Sequence, residues 1–404
     1  MVKCGTGVAV GFDLTRAAES ATDRALRELG GAQPDLACVF VHGAAPEDVA
    51  AALATAGRIA NATSSIGCSA THGVIGGGHG IEDVSAVSVF LAQVPGIRLR
   101  TFHLEVMRTS ESIAVVGMPP LDGEDQLALV LADGYSFPVE GFVEQSDQML
   151  VGLPLAGGLA VGGQGAGSTR LLVDGRVVDR GAVGRVLGGN IGVSAFVSQG
   201  CRPVGNPMAV TRAEGNVLLE LAGRPALQRL EDLLLTLSPE DQAIASSGLQ
   251  IGVARDEYSD ELEHGDFLVR NIVRVDPERR ALVVADLLEI GQTVRFQLRD
   301  ADAASTDLVD GLKRWRDRQE VEDVGGALVF SCNGRGERFF ATGDHDAVTV
   351  RDGLGGVEVA GYFAAGEIGP VAGRNYLHGF SASVVAFGAP GVASIARTAV
   401  PPAP

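Results

Sequence analysis

The two ends of this chain carry the same signals in the same order. Residues 38–43 (CVFVHG) resemble residues 328–334 (LVFSCNG). Gly67 followed by Gly73-Val74-Ile75-Gly76 resembles Gly361 followed by Gly366-Glu367-Ile368-Gly369, and SAVSVF at 85–90 resembles SASVVAF at 381–387. A repeated supersecondary unit restricts the fold more tightly than composition does, because each copy must bury its apolar face against another. Each copy reads as strand, turn, helix, strand, glycine bend, strand. The expectation is an α/β protein of two related lobes facing one another, with mixed, largely antiparallel sheets flanked by helices. A junction between such lobes is where ligand clefts form.

Local signals fill in the frame. Asp13 or Thr15 caps a helix over Thr15–Leu29, with Ala18, Ala21, Ala25 and Leu29 on one face and Gly30-Gly31 as the stop. Pro46-Glu47 opens a second helix that Gly57 ends near Ala56. Ile66–Cys68, Val84–Ala92 and Gln126–Ala132 read as strands, and Gly157–Gly167 as a glycine-rich connection into the strand Arg170–Val173. From Arg224 the period becomes helical; strands then follow at Gly248–Ala254, Phe267–Val275, Arg280–Leu288 and Thr293–Leu298. Ser305 or Thr306 caps a helix to about Glu320, with Leu308, Leu312 and Trp315 facing inward.

Charge excludes several classes of function. A net charge of −18 on 404 residues, with no basic run beyond Lys313-Arg314-Trp315-Arg316, argues against nucleic acid, whose phosphates require clustered Lys and Arg. Five cysteines, odd in number and never in CxxC, give neither a disulfide framework nor a zinc ribbon, and fit a reduced cytoplasm. The amino terminus lacks the apolar core of a signal peptide. The uncharged run Asn375–Ala396 holds His378, three serines, three glycines and Pro390, so it reads as buried strands and turns, with no membrane insertion.

Two stretches carry chemistry. The first is IGCSATHGVIGGGHG at 66–80. It matches no phosphate loop, dinucleotide fingerprint, nucleophile elbow or metalloprotease motif. Cys68 with His72 as base would need a helix that Gly67 and Gly73 discourage, and His72 with His79 lacks a third metal ligand nearby. The remaining reading is bare main chain that donates N–H groups to a ligand, with Cys68, Ser69, His72 and Gly73 as lining. The second stretch is FSCNGRGERFF at 330–340 with GYFAAGEIGPVAGRNYLHGFSAS at 361–383. Glu367, between glycines in an apolar run, needs a positive group or polar ligand. Arg335 is its candidate partner or an anion clamp, and Gly366 and His378 flank it.

The segments LPLAGGLAVGG (153–163), LLVDGRVVDRGAVGRVL (171–187), RPVGNPMAVTRAEGNVLLELAGRPAL (202–227), GDFLVRNI (265–272), EIGQTVRFQLRDADAA (289–304), SCNGRG (331–336), GYFAAGEIGP (361–370) and NYLHGFSASVV (375–385), with the Gly67-Cys68-Ser69…Gly73 bend, together resemble FIST (F-box and intracellular signal transduction) proteins. The resemblance implies an N-terminal domain over 1–223, a C-terminal domain over 224–404 and no F-box. It implies a sensory module that binds a small molecule such as an amino acid, needs no cofactor, and signals through a separate protein. Some stand-alone proteins of this type resemble haem-binding nitric-oxide sensors, for which His72, His79, His345 or His378 would be the proximal ligand. An enzyme with Cys68 or Cys332 as nucleophile and His378 or His72 as base is a third reading; it requires a thiol pKa well below about 8.5.

Overall fold

Glycine stands opposite valine at the same point of three parallel strand pairs. The computed structural model describes residues 1–108, 113–150, 152–255 and 265–391. Within it Leu36–His42 runs parallel to Ser64–Ala70, Asp125–Asp133 to Leu155–Ala160, and Val321–Cys332 to Glu358–Ala364. The facing residues are Val39 and Gly67, Val130 and Gly157, Val329 and Gly361. A Cβ on the glycine would lie 2.3, 1.9 and 1.8 Å, respectively, from the valine carbonyl oxygen. The backbones approach at a distance no side chain permits. Helices Pro46–Ala60, Val139–Met149 and His345–Gly353 make the three crossovers.

After each parallel pair the chain forms a hairpin that leaves its own sheet. Gly73–Gly76 with His79–Glu82 adds to the edge of Glu358–Ala364, pairing Val74 with Tyr362. Leu171–Val173 with Arg176–Val178 adds to Ser64–Ala70, pairing Leu171 with Cys68. Glu367–Val371, followed by Arg374–His378, adds to Leu155–Ala160, pairing Glu367 with Gly158. The exchange is cyclic: first unit to third, second to first, third to second. The chain then returns to its own sheet as Ala86–Gln93, Ala182–Gly189 and Ser381–Pro390. These returning strands clasp the corners. Ser88 Oγ donates to Ile75 O (2.6 Å) and Ser383 Oγ to Ile368 O (2.8 Å), while Arg185 reaches Ser65 O (2.8 Å), Ser64 and Asp174.

The inner faces of the three sheets share one core, in which Phe40, Cys68, Phe90, Leu129, Phe330, Tyr362 and Phe387 are buried together. Phe40 stacks on Tyr362 at 5.2 Å and meets the edge of Phe330 at 6.2 Å. Three separate apolar layers cover the outer faces. Leu14–Glu28 and Pro46–Ala60 pack on the first sheet, Val139–Met149 on the second, and His345–Gly353 with Leu308, Leu312 and Trp315 on the third. Only the three crossovers are parallel among the described pairings, so the architecture is the mixed, largely antiparallel α/β arrangement read from the sequence. The repeat is present and has a third copy between the two that the sequence displays.

This three-sheet unit comprises Met1–Ser198 and Leu308–Leu377 with the strand Ser381–Pro390. A second compact unit, Gln199–Asp307 with His378–Phe380, has its own core. Its strands run in the order Cys201–Glu214, Thr293–Arg299, Leu249–Ala254, Phe267–Asp276, Ala281–Val284, Val217–Leu221, and the last pairs back with the first. Every neighbour is antiparallel, and the pairing of Val217–Leu221 with Cys201–Glu214 closes the sheet, leaving the two-residue strand Arg224–Pro225 on Val217–Leu221.

Four local readings need correction, the first being the helix expected to start at Ser305 or Thr306 and run to about Glu320, which spans Ala301–Asp317 with Asp300 Oδ1 accepting from Ala303 N at its start. Gly157–Gly167 is no mere connection, because Leu155–Ala160 is a strand buried along almost its whole length. The helix opened by Pro46 passes Gly57, where an added Cβ would stand 3.2 Å from the Leu172 side chain, and ends at Asn61 in the left-handed region. Arg280–Leu288 shortens to Ala281–Val284. The run from Asn375 holds strands to Pro390 as expected, and its last residues, 392–396, lie outside the described residues. No helix among the described residues is long and apolar enough to cross a membrane.

Replacing Gly67, Gly157 or Gly361 by Ala should each lower stability by roughly 2–4 kcal/mol, because a backbone carbonyl cannot move aside as a side chain can. Gly141, inside a helix with nothing within 4 Å of a Cβ, is the control. Gly141→Ala should raise stability by about 0.5–1 kcal/mol. Urea unfolding midpoints of the four variants check the contrast.

Candidate ligand site where the three sheets meet

One residue past each close-packed glycine lies a position facing the shared core: Cys68, Gly158 and Tyr362. Opposite them on the exchanged hairpins stand Leu171, Glu367 and Val74. Two of these three places are filled in the ordinary apolar way. The third pairs a missing side chain with a carboxyl. A Cβ on Gly158 would lie 2.9 Å from the Tyr362 hydroxyl, 2.9 Å from Ala364 Cβ and 3.1 Å from Gly366 O, so Gly158 leaves the space into which Tyr362 extends. The Tyr362 hydroxyl lies beside the Cys68 thiol and makes no well-formed hydrogen bond.

Glu367 is fully buried. Its Oε2 accepts from Ser381 N (3.2 Å) and Ser381 Oγ (2.8 Å), while Oε1 has no hydrogen-bond partner although the Cys332 thiol lies against the carboxyl. Burial pushes its pKa up to about 8; Ser381 and the charge of Arg335 offset only part of that cost.

Arg335 enters on the turn after Val321–Cys332, its N–H donating to Cys332 O at 2.8 Å. Its buried guanidinium grips Asp346 by two bonds, Nε to Oδ2 at 2.8 Å and Nη2 to Oδ1 at 2.9 Å. Ser331 Oγ (2.6 Å) and His345 Nδ1 (2.9 Å) complete the Asp346 shell. The Phe340 ring lies under the guanidinium at 5.2 Å and stacks on His345 at 3.6 Å. Burial alone would raise the Asp346 pKa, but Arg335 more than offsets it and holds the carboxyl well below the usual range. Arg335 Nη1 is left without a partner.

The structure thus brings Cys68, Arg335 and Glu367 into one cluster, with the Gly366 main chain at its margin. Gly366 O accepts from Leu159 N at 2.8 Å. The other expected residues serve elsewhere. Ser69 Oγ accepts from Arg170 N (3.0 Å), and Gly73 starts a hairpin where a Cβ would meet Ile81 O at 2.1 Å. His72 Nε2 bonds Glu82 Oε2 at 2.8 Å, and Glu82 in turn caps Glu337 N at 2.8 Å. His378 is a buried residue of the second unit. Tyr362, Gly158, Asp346 and Ser381 escaped the sequence reading. For Gly158 and Tyr362 the signal was the match of Ala156-Gly157-Gly158 to Ala360-Gly361-Tyr362, hidden by the glycines around the first.

Burial pushes the Cys68 thiol far above its ordinary pKa, the reverse of what a nucleophile needs. Among the described residues no group of three or more His, Cys, Asp or Glu side chains could hold a metal. His72, His79 and His345 each have a ring nitrogen bonded to a carboxylate, and His345 is sandwiched against Phe340. These three are fixed hydrogen-bonding groups, and none of the three faces the open apolar slot that a haem's proximal imidazole needs.

A core built from both ends of one chain, with a polar cluster at the junction, makes a single module out of two sequence domains. The chain matches the FIST N domain over residues 35–224 and the FIST C domain over 226–370, and it belongs to the FIST family. It is 42% identical over 386 residues to the uncharacterized protein Rv0628c of Mycobacterium tuberculosis, covering 96% of this chain and 100% of that one. To the uncharacterized protein Mb0898c of Mycobacterium bovis it is 40% identical over 386 residues, covering 96% and 99%. FIST domains are generally thought to be small-ligand-binding signalling domains, sensory in character.

The buried carboxyl ties stability to pH. Between pH 4.5, the ordinary value, and about 8 the folded Glu367 holds a proton that the unfolded chain has released, so stability falls as pH rises across that window. Glu367→Gln carries no such group and should lack this component. Its stability relative to the parent should grow with pH by at most about 1.4 kcal/mol per unit, levelling above pH 8. Urea titrations of both proteins at pH 5, 6.5, 8 and 9 (roughly spanning the linkage window) measure the divergence.

Proposed function

We propose that this protein is a cytoplasmic sensory protein that binds an amino acid or similar small polar metabolite where its amino-terminal and carboxy-terminal halves meet, and signals through a separate partner. The observation that carries the reading is the grouping of buried, under-used hydrogen-bonding atoms around Glu367. Arg335 Nη1, Tyr362 OH and Glu367 Oε1 are all buried and make no well-formed hydrogen bond, only thiols lying beside the latter two, and both Arg335 and Tyr362 interact electrostatically with Glu367. Buried polar atoms are ordinarily satisfied, so a group of orphans marks a place completed by something else. The cluster joins strands from both ends of the chain, and a ligand there would favour one arrangement of the sheets over another. Only that difference in affinity can shift a conformational equilibrium and alter a partner's affinity.

A thermal-shift panel of amino acids, their deaminated analogues and related metabolites tests the reading. A ligand at a hundred times its dissociation constant should add about 2.7 kcal/mol, enough to raise the midpoint by a few degrees. The shift should be lost in Arg335→Lys, which keeps the charge but cannot span Asp346 and a ligand together. A panel without any shift, or a shift that survives in Arg335→Lys, refutes this site. A Soret band in the purified protein that disappears on a His→Ala change would put a haem sensor in its place.

A further inference from the structure

The three orphaned atoms also carry information about what completes them, and the inference rests on the reading of this cluster as the ligand site. Arg335 Nη1 is a donor under all conditions. The Tyr362 hydroxyl has a proton to donate, and its neighbour, the Cys68 sulfur, is a weak acceptor. Glu367 decides the third. Its Oε2 already accepts two hydrogen bonds from Ser381. A carboxyl with no exposed surface, whose positive neighbour Arg335 is already committed to Asp346, is neutral at physiological pH. Its proton then belongs on Oε1, the oxygen that takes no bond from Ser381, where the Cys332 thiol beside the carboxyl is only a weak competitor. All three unused groups are therefore donors.

We infer that this cluster recognises a small carboxylate through the three donors grouped around Glu367, namely Arg335 Nη1–H, Glu367 Oε1–H and Tyr362 O–H, and offers no unused side-chain acceptor to an ammonium group. A carboxylate has about four lone-pair sites and no proton, which complements three donors. An amino acid would be held by its carboxylate, and its ammonium would gain nothing here. The groups that face Glu367 agree with this polarity. Arg335 and Cys332 come from the strand Val321–Cys332 and the turn after it, Tyr362 from Glu358–Ala364 and Ser381 from the returning strand; Gly158, its ladder partner, brings no side chain. Asp346, the nearby carboxylate, has both oxygens taken by Arg335, Ser331 and His345.

Calorimetric titration of the full chain with propionate, alanine and ethylamine separates the possibilities, because the three differ only in which charged head they carry. Propionate should bind, alanine should bind no more tightly, and ethylamine should give no heat. Propionate affinity should fall at least tenfold from pH 7 to pH 9.5 as Glu367 loses its proton. Glu367→Gln, whose amide can still donate, should retain binding and lose most of that pH dependence, whereas a purely structural carboxyl would leave the pH profile unchanged. Tyr362→Phe should weaken binding severalfold, and Arg335→Lys should abolish it with the circular dichroism spectrum preserved. Alanine binding tenfold tighter than propionate, or ethylamine binding at all, would overturn the donor-only site while leaving a small-ligand sensor standing. A panel in which no ligand's binding responds to Arg335 or Glu367 substitution would overturn both.

Discussion

The architecture depends on main chain touching main chain. At Gly67, Gly157 and Gly361 a parallel neighbour's carbonyl occupies the place of a side chain, and that contact draws the second strand of each crossover close to the first. Each second strand then presents a free edge, and each edge is filled by a hairpin from another unit. Exchange of this kind resolves two problems together. It covers the edges, which would otherwise invite association with other chains, and it makes every sheet depend on a distant part of the sequence. Such long-range pairings are slow to form, so the local crossovers are the natural early structures and the hairpin exchange the late step.

A core closed in this way has little tolerance for polarity at its centre. Phe40, Phe330 and Tyr362 interlock there, and burial of such rings supplies a large share of the favourable energy, about 25 cal/mol for each Å² removed from water. Placing Glu367 and Arg335 in the same region opposes that gain. Asp346 neutralises Arg335 through two charge-assisted bonds, which removes most of its penalty. Glu367 has only hydrogen bonds from Ser381, a nearby thiol and the remote charge of Arg335, which do not offset its burial, so its lower-cost state is the protonated one. The difference between the two carboxyls, one held ionised and one held neutral about a single guanidinium, arises from which of them the guanidinium can reach with two nitrogens.

How much of this was legible in the sequence differs by residue. The outer copies of the repeat were visible because CVFVHG and LVFSCNG keep a continuous apolar run before a turn, and a buried strand with one neighbour on each side requires that. Glu367 and Arg335 stood out because a charge in an apolar run has a cost that composition alone reveals. The middle copy was hidden. Its second strand, LAGGLA, has so little side-chain volume that it reads as a loop, and its helix Val139–Met149 carries Gly141, Ser146 and Asp147, poor helix formers held in place by packing of Phe142 and Val143. Gly158 and Tyr362 illustrate a further limit. Their importance comes from equivalence across units that share no side chain at that position: Cys, Gly and Tyr occupy the same place by geometry, and only the register of three ladders reveals it.

That equivalence also explains why the polar centre sits on an exchanged hairpin. Val74 and Leu171, the counterparts of Glu367, are passive wedges between two sheets. Glu367 occupies the same wedge position, carried by the third unit and inserted beside the second, with its carboxyl fixed from the returning strand by Ser381. Any change in the charge or bonding of that carboxyl acts on both the sheet that supplies it and the sheet that receives it. In a core packed at crystal-like density such a disturbance is not absorbed gradually, because interlocked side chains have few alternative arrangements and shift between them as a group. A titratable wedge between two sheets is therefore a physically suitable place for a binding event to become a change in sheet packing, and an apolar wedge at the same position, such as Val74, is not.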